Sequence, residues 1–238
     1  MSALKPHSRL STEDRRSAIL DAIRAVFAEK GFHGTTTRAL AEAAGVSEAL
    51  LFKHFPSKDA MYAAMQEECW SQVAEQELKR LSALPANTSS LVMLVYVLAS
   101  KIISGVAIST QATPNQFEKL MLRSMLEDGT FARGMLKRFD QGWLTKFEEC
   151  WKAAEAAGDL ARKTVPGRIA GWFVHDLAVM VMIQLLRDPP VADYGASRDD
   201  LIEYAARFML QGIGLSEEAI ERHFHPQAFA LFRAPGLS

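Results

Sequence analysis

GFHGTTTRALAEAAGVSEALLFKHFPSK, residues 31–58, is the stretch that decides the fold. It reads as two short helices, one opening after Thr36 and running to about Ala44, the other covering Glu48 to about His54, with Gly45 in the turn between them. Helices that cross steeply over a tight turn need a small residue where they touch, and Ala41 supplies it. Leu40, Ala44, Val46 and Leu51 are spaced to fill the seam. Thr36 and Ser47 each stand where a hydroxyl can cap the helix that follows. The pattern is a helix-turn-helix, and its second helix is left facing outward, where a DNA major groove would lie.

The surroundings are helical too. A preceding helix from about Thr12 to Lys30 puts Ile19, Ala22, Ile23, Val26 and Phe27 on one stripe, and Gly31 stops it. Pro56 and Ser57 mark a boundary, with Ser57 as N-cap of a long fourth helix. Asn87 to Ser90, Thr113-Pro114-Asn115 and Asp128-Gly129 punctuate the helices that follow. One long helix is predicted between Gly129 and Gly158. Pro166 is expected as the first residue of the next, which reaches about Arg187. Further helices are expected from about Arg198 to Gln211 and after Ser216, with a loosely held tail from Pro226. Strict strand alternation is almost absent, so the fold class is all-α. The expected division is an N-terminal tail and three-helix DNA-binding domain over 1–57, a larger helical bundle over 58–225, and a tail over 226–238.

With 49% hydrophobic and 23% charged residues in 238, the chain can bury enough apolar surface to offset its ordering entropy, which argues against disorder. A net charge of −1 excludes a uniformly basic coat for nucleic acid. Residues 1–60 nevertheless carry +2 and the remainder −3, an asymmetry that favours DNA at the N-terminal end. Cys69 and Cys150 are too few for a disulfide framework and lack the spacing of a zinc site, as expected of a reducing compartment. The start, with Lys5, Pro6, His7 and Arg9, has no signal-peptide apolar run, so a cytoplasmic location is expected. Leu91 to Ile108 and Ala170 to Leu186 are apolar but carry Lys101 and the His175-Asp176 pair, and read as buried helices rather than membrane spans.

Gly31, Thr36, Thr37, Ala41, Gly45, Val46, Ser47, Leu51, His54, Phe55, Ser57 and Lys58 together resemble the motif of the tetracycline-repressor family, over about 45 residues. Phe52 departs from it, standing where the family usually has a tyrosine whose hydroxyl reaches a DNA phosphate. The resemblance implies that Thr37 and Arg38 reach the backbone or a base edge, that helix-three residues, Ser47 and Ala49 among them, read bases, and that His54 and Lys58 hold phosphates. For Lys58 there is also a physical argument: a cation in the first turn of a helix opposes the macrodipole unless an anion binds there. Lys53 projects outward, toward a guanine or a phosphate. Glu48 can accept from a cytosine amine or merely favour its own helix N-terminus. Phe52 can pack on a thymine methyl or close the helix-turn-helix, and closure is the default.

In the larger domain Trp143, Phe147 and Trp151 form an aromatic stripe, and Phe117, Met121 and Met125 a similar one. Core packing is the default for both, with an apolar effector between them as the functional alternative. Tyr96, Arg123 and His175 are polar groups on apolar helices that could orient such a molecule. Trp172, Phe173, Leu177, Met180, Ile183, Tyr204 and Phe208 belong to helices more apolar than one face of a monomer needs, and are expected at a homodimer interface. The sequence calls for no cofactor, metal or membrane partner. His223 and His225 lack helical metal-pair spacing, and HExxH, phosphate-loop and GxSxG patterns are missing. Two functions compete: a regulator that binds a palindromic operator as a homodimer and leaves when a small apolar or amphipathic effector enters, and an architectural or division-type DNA binder that recruits a protein partner instead.

Overall fold

The computed structural model describes residues 11–69, 79–105, 116–161 and 165–229. Every named element among these is helical. The chain divides into two compact units, residues 1–70 with 111–132, and residues 71–110 with 133–238.

In the first unit, α1 (Thr12–Gly34) opens on a reciprocal cap: Ser11 Oγ accepts from the Asp14 N–H at 3.0 Å, and the Ser11 N–H donates back to the Asp14 carboxylate at 3.3 Å. Ile19, Leu20, Ile23 and Phe27 are buried, whereas Ala22 and Val26 of the predicted stripe lie at its half-buried edge. Gly31 breaks the helix at φ 71° and ψ 175°, a conformation open essentially to glycine alone, and one further turn follows. α2 (Thr37–Ala43), α3 (Glu48–His54) and α4 (Lys58–Cys69) complete the N-terminal part. The predicted continuation of α4 lies outside the described residues, as does Thr113-Pro114-Asn115.

A later helix, α6 (Gln116–Leu126), belongs to this same unit and packs along α1, with Arg123 Nη1 donating to the Glu29 carbonyl at 2.6 Å. Sequence patterning alone groups it with the larger domain. Its periodicity shows an apolar face but not which partner covers that face. Tyr62 packs edge-on to Phe27 at 4.9 Å, and Phe117 to Phe131 at 5.8 Å.

The second unit is built on α5 (Thr88–Ser104), capped by Asn87 and ended by Gly105 at φ 66°. From Leu91 to Val97 it is buried on all sides, enclosed by α8 (Thr145–Ala156), α9 (Gly167–Gln184) and α10 (Arg198–Gly212). The predicted helix from Gly129 to Gly158 is α7 (Thr130–Phe139), a π-helical turn at Asp140–Leu144, and α8. Pro166 is the N-cap of α9 rather than its first residue, one position from expectation, because Pro lacks the N–H that is superfluous at either place. After α11 (Glu217–His223) the chain forms α12 (Pro226–Phe229). The expected loose tail is therefore anchored at its start: Phe229 is buried against Tyr96, with ring centroids 5.4 Å apart.

Candidate nucleic-acid interface

The interface is assembled from caps and a seam. Thr36 Oγ1 accepts from the Ala39 N–H at 3.2 Å, Ser47 Oγ from Leu50 at 3.1 Å and Ser57 Oγ from Ala60 at 3.0 Å, so α2, α3 and α4 each begin where a hydroxyl satisfies an orphan donor. Gly45 takes φ 63°, and the Val46 N–H then donates to the Ala41 carbonyl at 3.0 Å, fixing the turn. Leu40, Ala41 and Leu51 are buried in the seam, while Ala44 and Val46 are half-buried.

Phe55, read only as part of a motif, is among the most buried residues of this unit, and the Arg16 guanidinium lies over its ring at 4.7 Å. Phe55 and Leu51 close the structure. Phe52 does not: it is 42% exposed, which corrects the default assignment. A residue two positions before the end of α3 would need to point inward to close the seam, and Leu51 already occupies that face.

What remains outward on α3 is Glu48, Ala49, Phe52 and Lys53, one stripe at helical spacing and all exposed. Thr37 Oγ1 donates to Glu48 Oε2 at 2.8 Å, tying the start of α2 to the start of α3. Arg38 is fully exposed and pairs with Glu42 at 3.0 Å; that hydrogen bond, then the charge of Glu42, raises its pKa further. His54 is half-buried with its ring tilted toward Phe55.

Lys58 has a different employment from the one expected. Its Nζ donates to the carbonyls of Phe32 at 3.0 Å and Thr35 at 3.1 Å, and stands 4.3 Å above the Phe32 ring. Two of three donors are thus engaged at the C-terminal end of α1, where carbonyls lack helical partners and a cation is favoured. Sequence spacing cannot show a partner more than 20 residues away.

A second feature missed in the sequence is the fully buried Arg24 on α1. Its guanidinium meets Asp21 at 3.1 Å and Glu68 of α4 at 3.2 Å, and Ser17 Oγ donates to Glu68 at 2.7 Å. In the sequence Arg24 is a charged residue beside the apolar stripe, with nothing local to mark its burial.

The candidate effector residues fall into both units. In the first, Phe117 and Met121 are half-buried, Met125 is 47% exposed, and Arg123 pairs with Glu127 at 2.9 Å. In the second, Trp143, Phe147 and Trp151 are buried in the core, as is Tyr96. Trp143 is stacked between Phe139 at 5.0 Å and Phe147 at 5.1 Å, and its Nε1 is buried without a hydrogen-bond partner. His175 Nδ1 lies 2.9 Å from Asp176 Oδ1, its ring against Phe139 and Trp172. Among the described residues no group of three His, Cys, Asp or Glu could hold a metal, and no helix is long and apolar enough to cross a membrane.

Residues 19–65 match the family of bacterial regulatory proteins, tetR family. An HTH-type transcriptional repressor of Mycobacterium tuberculosis is 32% identical over 129 residues, 52% of this chain and 58% of that protein. The HTH-type transcriptional regulator RutR of Escherichia coli is 47% identical over 51 residues, 21% of this chain and 24% of that protein. The chain thus spans just over half the length of the first and about a quarter of the second. NalD, the secondary repressor of the MexAB-OprM multidrug efflux pump in Pseudomonas aeruginosa, superposes with a TM-score of 0.63 at 26% identity, over 87% of this chain and 100% of that one. These likenesses include the helix-turn-helix that the geometry singles out, and it is this part of the chain, residues 19–65, that is similar to the bacterial regulatory proteins of the tetR family.

Proposed function

We propose that the chain is a repressor that binds a two-fold-symmetric DNA operator as a homodimer and releases it when a small apolar or amphipathic molecule binds in the second unit. The observation that carries DNA binding is the outward stripe of α3 with Thr37 and Arg38 beside it, a surface built by capped helices and not used in the core. One short recognition helix covers too few base pairs for useful specificity, and a palindrome doubles them. The repressor sign rests on NalD and the mycobacterial relative, which are named as repressors.

Exposed apolar side chains on α9 and α10 support the dimer: Ile169, Phe173 and Met180 on one helix, Tyr204 and Phe208 on the other. A second copy would remove this area from water. Trp172, Leu177 and Ile183, expected beside them, are half-buried, and Trp172 and Leu177 pack against the monomer's own core.

We infer an effector site at the Phe139, Trp143 and Phe147 stack beside His175, in place of the expected one between the 117–126 and 143–151 helices, which belong to different units; an acceptor on the ligand would satisfy the unpartnered indole N–H. Tenfold release of the operator corresponds to about 1.4 kcal/mol of coupling, and operator DNA must then weaken the effector equally. The test is recovery of an operator from a random duplex pool, followed by a screen for compounds that both release it and change Trp143 fluorescence. A symmetric consensus and such a compound are expected. A selected operator that no compound releases would favour a DNA binder acting through a protein partner.

A further inference from the structure

Phe52 is 42% exposed and lies at the centre of the outward stripe of α3, one turn from the exposed Ala49. A lone exposed phenylalanine on a protein surface is ordinary. This one occupies the second helix of a helix-turn-helix, whose residues meet base edges in the major groove. There the flanking groups are polar and already oriented: Glu48 is held by the Thr37 hydroxyl at 2.8 Å, and Lys53 adds a cation. Ala49 and Phe52 have no hydrogen-bonding atoms in their side chains, so they can match only an apolar feature of the groove. The major-groove edge of B-DNA offers one such group, the C5 methyl of thymine.

We propose, on the footing of the DNA-binding reading above, that Phe52, assisted by Ala49, is a specificity-determining residue that reads a thymine methyl in each operator half-site. This replaces a phosphate hydrogen bond, which a phenyl ring cannot make, by sequence readout. The interaction contributes discrimination between thymine and any base lacking the methyl, at one position per half-site.

The experiment uses the full chain and the duplex selected from a random pool, with each thymine replaced in turn by uracil, which removes only the methyl. One symmetric position should weaken wild-type binding about fourfold per half-site, and roughly fifteenfold when both are replaced, from the hydration of one methyl group. Phe52→Ala should bind the thymine and uracil duplexes equally, while Phe52→Tyr, which keeps the ring, should retain the difference. Circular dichroism checks that both variants remain folded. Uniform insensitivity to uracil, a consensus without thymine in the recognised half-site, or a uracil effect undiminished in Phe52→Ala would each overturn the proposal while leaving operator binding intact. If the wild type selects no duplex at all, the DNA-binding reading falls, and this inference with it.

Discussion

Lys58 and Lys53 are both lysines of the N-terminal unit, yet their surroundings give them different tasks. Lys58 bonds two main-chain carbonyls and covers an aromatic ring, so Lys58→Ala should lower the unfolding free energy by about 2 kcal/mol. Its operator binding should keep the wild-type salt dependence. Lys53→Ala should do the reverse, leaving the denaturation midpoint unchanged and reducing the log-log salt slope by about one per protomer. A flattened slope for Lys58→Ala would restore it to the phosphate contacts. Glu118, on α6, titrates in the opposite sense from a typical paired carboxylate: it is 6% exposed, and burial pushes its pKa up. With Oε2 unpartnered, the charged form is penalised in the folded state. The sign follows from linkage: the stability associated with protonated Glu118 is full below the unfolded value near 4.5 and is lost as pH rises through the higher folded value. Glu118→Gln should therefore be more stable than the wild type at pH 7, by on the order of 1 kcal/mol. The gain should vanish below about pH 4.5, and pH-dependent thermal melts would show both limits.

At the level of the elements, what the sequence makes legible is what local chemistry decides. Thr36, Ser47 and Ser57 could be read as caps because an N-cap depends on one hydroxyl and the next three residues. Gly31 and Gly45 could be read as breaks because positive φ selects glycine. The π-helical turn at Asp140–Leu144 could not, since an extra residue in a helix is accommodated by neighbours rather than announced by composition. Gly171 on α9 shows how close those neighbours are: a Cβ there would run into Leu144 and stand 2.9 Å from Phe147, both buried. Gly171→Ala tests this contact. In an unconstrained helix the change would stabilise by up to about 1 kcal/mol, whereas overpacking a filled core costs about 1–3 kcal/mol. The second effect should win, with a lowered melting temperature, and a raised one would mean that α8 and α9 can separate easily. The same distinction explains the candidate site. The outward face of α3, Phe52 included, follows from helical period alone, but the carbonyl partners of Lys58 and the burial of Arg24 each depend on an element distant in sequence.

For the whole molecule the first question is assembly. Met180 is 53% exposed on α9, in line with Phe173 and beside an α10 that exposes Tyr204 and Phe208. Met180→Glu should yield a folded monomer by sedimentation, with operator affinity much reduced because each half-site is then bound singly; an intact dimer would place the interface elsewhere. The second concerns α6, which packs along α1 and donates from Arg123 to a carbonyl 94 residues earlier in the chain. A contact this long in sequence must wait for closure of a large loop, and loop closure is an entropic cost met before the contact returns anything. During synthesis at roughly 5–20 residues per second, α1 to α3 emerge several seconds before α6 is available to cover α1. A nascent chain stopped before Gln116 therefore presents an uncovered apolar face, so arrest-length variants should be protease-sensitive and chaperone-bound until residues 116–126 have cleared the ribosome. The helix-turn-helix end, though encoded first, is among the parts that finish folding late.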